Sequence, residues 1–131
     1  MHGIGSYQKV QNETAGPERQ LVLLFEAAQR WMLGGASALD GGATHPAMEQ
    51  LGKASDIVLE LHRCLDRARA PELAGKLEAV YEYVLIELTK AKAYRKAQHA
   101  RNAERALAPL VAAFQKAVGQ VLSQRGAGAR P

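Results

Sequence analysis

Between Glu72 and Lys92 the chain reads ELAGKLEAVYEYVLIELTKAK, with apolar residues at Leu73, Leu77, Val80, Tyr81, Val84, Leu88 and Ala91. Their spacing in steps of three and four places them on one face at 3.6 residues per turn, so this stretch is one long amphipathic helix. A second stripe, Ala79, Tyr83 and Ile86, lies beside the first and widens the apolar surface beyond what one neighbouring helix covers. Such a helix needs a bundle on one side. It also has surface to spare for a further neighbour, a second subunit or a bound partner.

The rest of the sequence follows the same rule. Ala, Leu, Glu, Lys, Arg and Gln dominate, and runs of β-branched and aromatic residues are missing, so the class is all-α. A chain of 131 residues is one domain, long enough to bury about two thirds of its unfolded surface without staples. Its single cysteine, Cys64, has no partner for an internal disulfide, and no charged-then-apolar leader opens the sequence; a reducing, cytoplasmic setting is expected. The longest apolar runs, such as 21–25, fall far short of the ~20 residues that span a bilayer, so no membrane insertion is expected. The net charge of +4 is too mild to imply nucleic acid by itself.

In chain order, residues 1–16 read as a mobile N-terminal arm, with Ile4, Tyr7 and Val10 three apart among Gly and polar residues. Gly16 as N-cap and Pro17 at the first helical position open a helix with core positions Leu21, Leu24, Phe25, Ala28, Trp31 and Met32. Gly34 and Gly35 weaken it, and Asp40-Gly41-Gly42 ends it. A second helix restarts at Thr44 and Pro46, with its seam at Leu51, Ala54, Val58, Leu61 and Leu65 and a face broadened by Ile57 and Cys64. The short connection 67–71 makes the second and third helices antiparallel neighbours. Asn102 is a plausible N-cap for a last helix whose seam is Ala103, Leu107, Leu110, Phe114, Val118 and Val121, with Pro109 inside it as a kink or a boundary. The tail from 124 to 131 has no apolar period and is expected to be disordered. The architecture is therefore an antiparallel up-down four-helix bundle over 17–123, between the arm and the tail.

Side-chain chemistry points away from catalysis. His2, His45, His62 and His99 stand singly. His62 and Cys64, two apart on a helix, point away from each other, so no metal site and no cofactor are expected. Cys64 has no assembled base and reads as a small buried residue. The basic stretch of Lys90, Lys92, Arg95, Lys96, Arg101 and Arg105 has one aromatic, Tyr94, and no base-reading motif, so a solvated connection is favoured over nucleic-acid contact. Tyr81 and Tyr83, two apart on a helix, cannot both face the core, which leaves one of them as a surface anchor.

Several separated stretches carry a resemblance. They are Ser6-Tyr7-Gln8-Lys9-Val10, Gly16-Pro17 with Leu21-Val22, Lys53-Ala54 with Asp56-Ile57, Leu65-Asp66, Glu72-Leu73-Ala74, and Leu77 with Val80-Tyr81-Glu82-Tyr83. In order and spacing the chain resembles the flagellar secretion chaperone FliS family over about residues 6–123. The departures are Gly16 for Ser, Ala70-Pro71 for two glycines, Phe25-Glu26-Ala27 for an aromatic, Asp and Gly, Glu87 for Arg and Lys92 for Asn. The exchange at Glu87 is expected to alter a surface charge contact with the partner. What the resemblance implies is a non-enzymatic cytoplasmic export chaperone. It would bind the disordered C-terminal segment of flagellin, prevent its premature polymerisation, and meet a component of the flagellar export gate.

Residues that flank the seam positions, or belong to them without all being needed there, are the expected contacts: Ile57, Leu61 and Cys64 from the second helix, Tyr83 and Ile86 from the third, and Tyr7 and Val10 from the arm, which resembles the family's cap over the groove. The rival reading is a structural or regulatory bundle that self-associates, as a homodimer for instance, through the same stripes. A nucleic-acid binder ranks last.

Overall fold

The computed structural model of the protein describes residues 16–128. Four helices account for it: α1 (Pro17–Asp40), α2 (Thr44–Arg63), α3 (Pro71–Tyr94) and α4 (Ala97–Gly128). No strand occurs among the described residues. Each helix packs against its neighbours in sequence, and α4 closes the ring against α1. The all-α four-helix bundle read from periodicity is the observed architecture. All of the expected arm except Gly16, and residues 129–131 of the tail, lie outside the described residues.

The helix starts follow local chemistry. Gly16 caps α1 with φ 84 and ψ 165, a conformation that L side chains rarely adopt, and Pro17 and Glu18 then occupy the first turn. Pro71 and Glu72 repeat that arrangement at the start of α3. The last helix departs from expectation. Arg95 ends α3 in the left-handed region at φ 54, and α4 restarts two residues later at Ala97 instead of at Asn102. Asn102 is no cap because its side chain is engaged laterally, donating to Glu87 Oε2 at 3.2 Å. Helix α4 passes through the exposed Pro109 and continues to Gly128, beyond the expected boundary at 123. Gln124, Arg125 and Ala127 extend a helix that is already nucleated, even without an apolar period to bury, and Gly126 and Gly128 are carried along at a cost in helix propensity.

Phe25 sits at the centre of the core, its ring 6.4 Å from that of Tyr81 on α3 and 5.3 Å from that of Phe114 on α4. Met32, Leu51, Val58, Val84, Leu88 and Leu107 are fully buried around it. Two seam assignments shift. On α1 the buried line runs Val22, Phe25, Ala28, Met32, Ala36, which turns Leu24 to the surface at 39 % exposure, and on α3 Leu73 is 51 % exposed. Gly35 is buried where α1 crosses α2: a β-carbon there would lie 2.5 Å from Leu51 Cδ2 and 2.6 Å from its Cγ. A residue that lowers helix propensity thus allows close approach of two helices. On the same contact, the Lys53 ammonium lies 4.5 Å from the centre of the Trp31 ring.

Candidate partner-binding surface

Helix α3 divides its two tyrosines between inside and outside. Tyr81 is 1 % exposed, and burial pushes its hydroxyl pKa up to about 12. Two residues on, Tyr83 is 45 % exposed, and Ile86, one turn further, is 55 % exposed. With the exposed Ala79 they form a stripe on the side of α3 that points away from the core. An exposed stripe of this kind offers a helix or extended segment an apolar seat with a hydroxyl at its edge.

The edge of α2 next to this stripe is fixed by its contacts. His62 Nε2 lies 3.7 Å from Glu82 Oε1, and Lys92 Nζ donates to Ser55 Oγ at 3.3 Å, so the edge carrying Ser55 and His62 faces α3. Leu59 shares that edge, four residues from one and three from the other, and is 45 % exposed. The antiparallel register brings it level with the segment around Ile86. The sequence reading missed Leu59; its signal is an apolar residue on α2 outside the seam of threes and fours.

A second apolar feature lies at the end of the bundle where α2 gives way to α3. An open depression of about 380 Å³ is lined by Leu21, Leu61, Leu65, Leu73, Leu77, Tyr81 and Phe114, with Cys64 at its margin. All four helices or their connections reach it, and it is overwhelmingly apolar.

The seven residues expected at the partner surface therefore do not form one patch. Tyr83 and Ile86 share the outer face of α3. Leu61 is a core residue at 5 % exposure and meets Cys64 at the end depression. Ile57 is half-buried on the opposite edge of α2, the one where Gln50 stands over Gly34 and Lys53 over Trp31, so it faces α1 and not α3. Tyr7 and Val10 lie outside the described residues. Cys64 is exposed and not buried as expected, because α2 ends at Arg63 and leaves it as the C-cap. Its thiol donates to Glu60 Oε1 at 3.5 Å, and that bond, with slight desolvation and the negative charge of Glu60 assisting, holds the thiol pKa above its ordinary value, which disfavours the reactive thiolate.

The basic residues are distributed over two helices. Only Arg95 and Lys96 lie in the connection; Lys90 approaches Glu87, Lys92 donates to Ser55, Arg101 pairs with Asp40 and Arg105 with Asn102. Four of the six are thus spent on contacts within the bundle. Glu87 is a larger surprise. It is 6 % exposed, and its carboxylate accepts from His99 Nδ1 at 2.8 Å and from Asn102. The hydrogen bond from His99 holds its pKa below the usual carboxylate range against the opposing effect of burial, with Asn102 and the charges of His99 and Lys90 assisting. Glu87 ties α3 to α4 and is not the surface charge contact expected from its place in the resemblance.

These features define an all-α four-helix bundle that, among the described residues, leaves an apolar face of α3 and an apolar depression uncovered. The family described as flagellar protein FliS matches residues 1–121, and the chain belongs to that family. It is 29 % identical over 90 residues to the flagellar secretion chaperone FliS of Vibrio cholerae, a match covering 66 % of each chain. Against the flagellar secretion chaperone FliSB of Pseudomonas aeruginosa the identity is 30 % over 95 residues, covering 70 % of this chain and 75 % of the relative. No helix among the described residues is long and apolar enough to cross a membrane.

Proposed function

We propose that this protein is a non-enzymatic flagellar secretion chaperone of the cytoplasm, which holds the disordered C-terminal segment of flagellin unassembled and delivers it to a component of the flagellar export gate. The observation that carries the reading is the apolar surface left exposed among the described residues: Tyr83 and Ile86 on α3 with Leu59 beside them, and the depression lined by Leu61, Leu73 and Tyr81. Membership of the FliS family and the names of the two relatives support it.

A segment that forms helices in a filament carries apolar stripes of its own. Seating them on a helical bundle keeps them from one another, by the same contacts an amphipathic helix makes in a groove. Ordering the segment offsets part of the gross contact energy, which suits a complex that must later release what it carries. Titrating the protein with flagellin, and with flagellin lacking its C-terminal segment, tests this by calorimetry: heat with the first and none with the second is expected. Equal heats, or none with either, would overturn it.

The same surface would serve self-association, the rival reading. Light scattering over a range of concentrations separates the two, since a chaperone that meets its partner through this face stays monomeric alone, whereas a self-associating bundle grows with concentration.

A further inference from the structure

The fold brings together a set of potential ligands that no spacing along the sequence reveals. Glu78 and Glu82 lie one turn apart on α3, and His62 faces them from α2; one ligand atom from each of the three lies within 4.8 Å of the others. We propose that His62, Glu78 and Glu82 form a binding site for a divalent transition cation of the zinc class, clipping α2 to α3.

The geometry suits such an ion. Imidazole nitrogen and carboxylate oxygen bond zinc at about 2.0 to 2.2 Å, so two of them on one tetrahedral centre stand about 3.4 Å apart. His62 Nε2 and Glu82 Oε1 are 3.7 Å apart, longer than a hydrogen bond and close to that separation. Two carboxylates at i and i+4 repel one another unless a cation stands between or beside them. Here Arg67 supplies one, donating from Nε to Glu78 Oε2 at 2.9 Å. That contact occupies Glu78 alone, and it makes Arg67 the competitor of a metal for that carboxylate. His62 is 27 % and Glu82 57 % exposed, so an ion reaches them from solvent and keeps an open position for water or a partner's side chain. One imidazole with two carboxylates favours zinc, copper or nickel over magnesium or calcium. Cys64 takes no part, since its thiol is engaged with Glu60.

The test uses the full chain, freed of metal and without a histidine tag, titrated with Zn2+ by calorimetry and with Co2+ by visible absorption. Saturable one-to-one binding is expected, with a rise in thermal midpoint. His62→Gln and Glu82→Gln should each weaken it by at least about tenfold, Arg67→Gln should tighten it by releasing Glu78, and Cys64→Ser should leave it unchanged. Circular dichroism establishes that each variant is folded. An absence of saturable binding, binding indifferent to His62→Gln or Arg67→Gln, or binding lost in Cys64→Ser overturns the site. None of these outcomes depends on flagellin.

Discussion

Adjacent glycines on α1 show how a residue's worth is set by what stands opposite it. Gly34 and Gly35 both lower helix propensity, and an alanine at either gains up to about 1 kcal/mol on that count. At Gly34 the opposing group is the amide end of the partly exposed Gln50 side chain, which can swing aside; at Gly35 it is the branch point of the buried Leu51. Gly34→Ala is therefore expected to raise stability by up to about 1 kcal/mol, and Gly35→Ala to lower it by about 1 to 3 kcal/mol through overpacking. Urea unfolding of the two variants checks the opposite signs. Glu87 makes a second residue-scale prediction. A carboxyl whose folded pKa is depressed contributes stability that is present above the unfolded value of about 4.3 and is lost as pH falls through the folded value. Glu87→Gln should cost about 1 to 3 kcal/mol at neutral pH, and the gap from the parent protein should close in acid, as denaturant titrations across pH 2 to 7 would show. A constant gap would mean that the loss comes from packing and not from charge.

At the scale of the helix, α3 performs two tasks on opposite sides, and mutations on the two sides are expected to separate them. Tyr83→Ala should weaken binding of the flagellin segment by about 1 to 3 kcal/mol while the thermal midpoint holds, because the side chain is nearly half exposed. In the core that the other side of α3 packs against, Leu61→Ala on α2 should lower stability by about 2 to 5 kcal/mol, whatever it does to binding, because Leu61 is 5 % exposed. Calorimetry and thermal melts on the same pair of variants read both quantities. A collapsed midpoint in Tyr83→Ala with affinity kept would make Tyr83 part of the core.

The whole molecule sets the last expectation, which concerns how the arm and the surface share one role. Ile4, Tyr7 and Val10 have the spacing of a single helical turn laid on an apolar groove, and the arm joins the bundle at Pro17, one turn before Leu21 at the end depression. An arm that covers apolar surface lowers the apparent affinity for a partner by the fraction of molecules in which that surface is open. Deleting residues 1–12 should then tighten binding of the flagellin segment and raise self-association, since the same patch is left bare. The dissociation constant of the truncated protein decides by sign: weaker binding would make Tyr7 a direct contact, and an unchanged value would leave the arm without a role in recognition.

Periodicity determined most of the architecture, because an apolar stripe at 3.6 residues per turn must be buried whatever the neighbour, and Pro17 and Pro71 announced their helices by removing a donor the first turn does not need. It also announced that α3 has more apolar surface than a bundle covers, since Tyr81 and Tyr83 cannot point the same way. Tertiary structure alone decided which residues share a surface. The rotation of α2 turns Ile57 toward α1 and Leu59 toward α3, and nothing in the spacing of a single helix states which of its edges meets which neighbour. Glu87 looked like an exposed charge because its partners, His99 and Asn102, stand on another helix and enter its surroundings only when the turn at Arg95 folds α4 back. The same holds for His62 with Glu78 and Glu82. Local physics fixes a helix and its stripe, whereas a constellation drawn from two helices exists only once their register does.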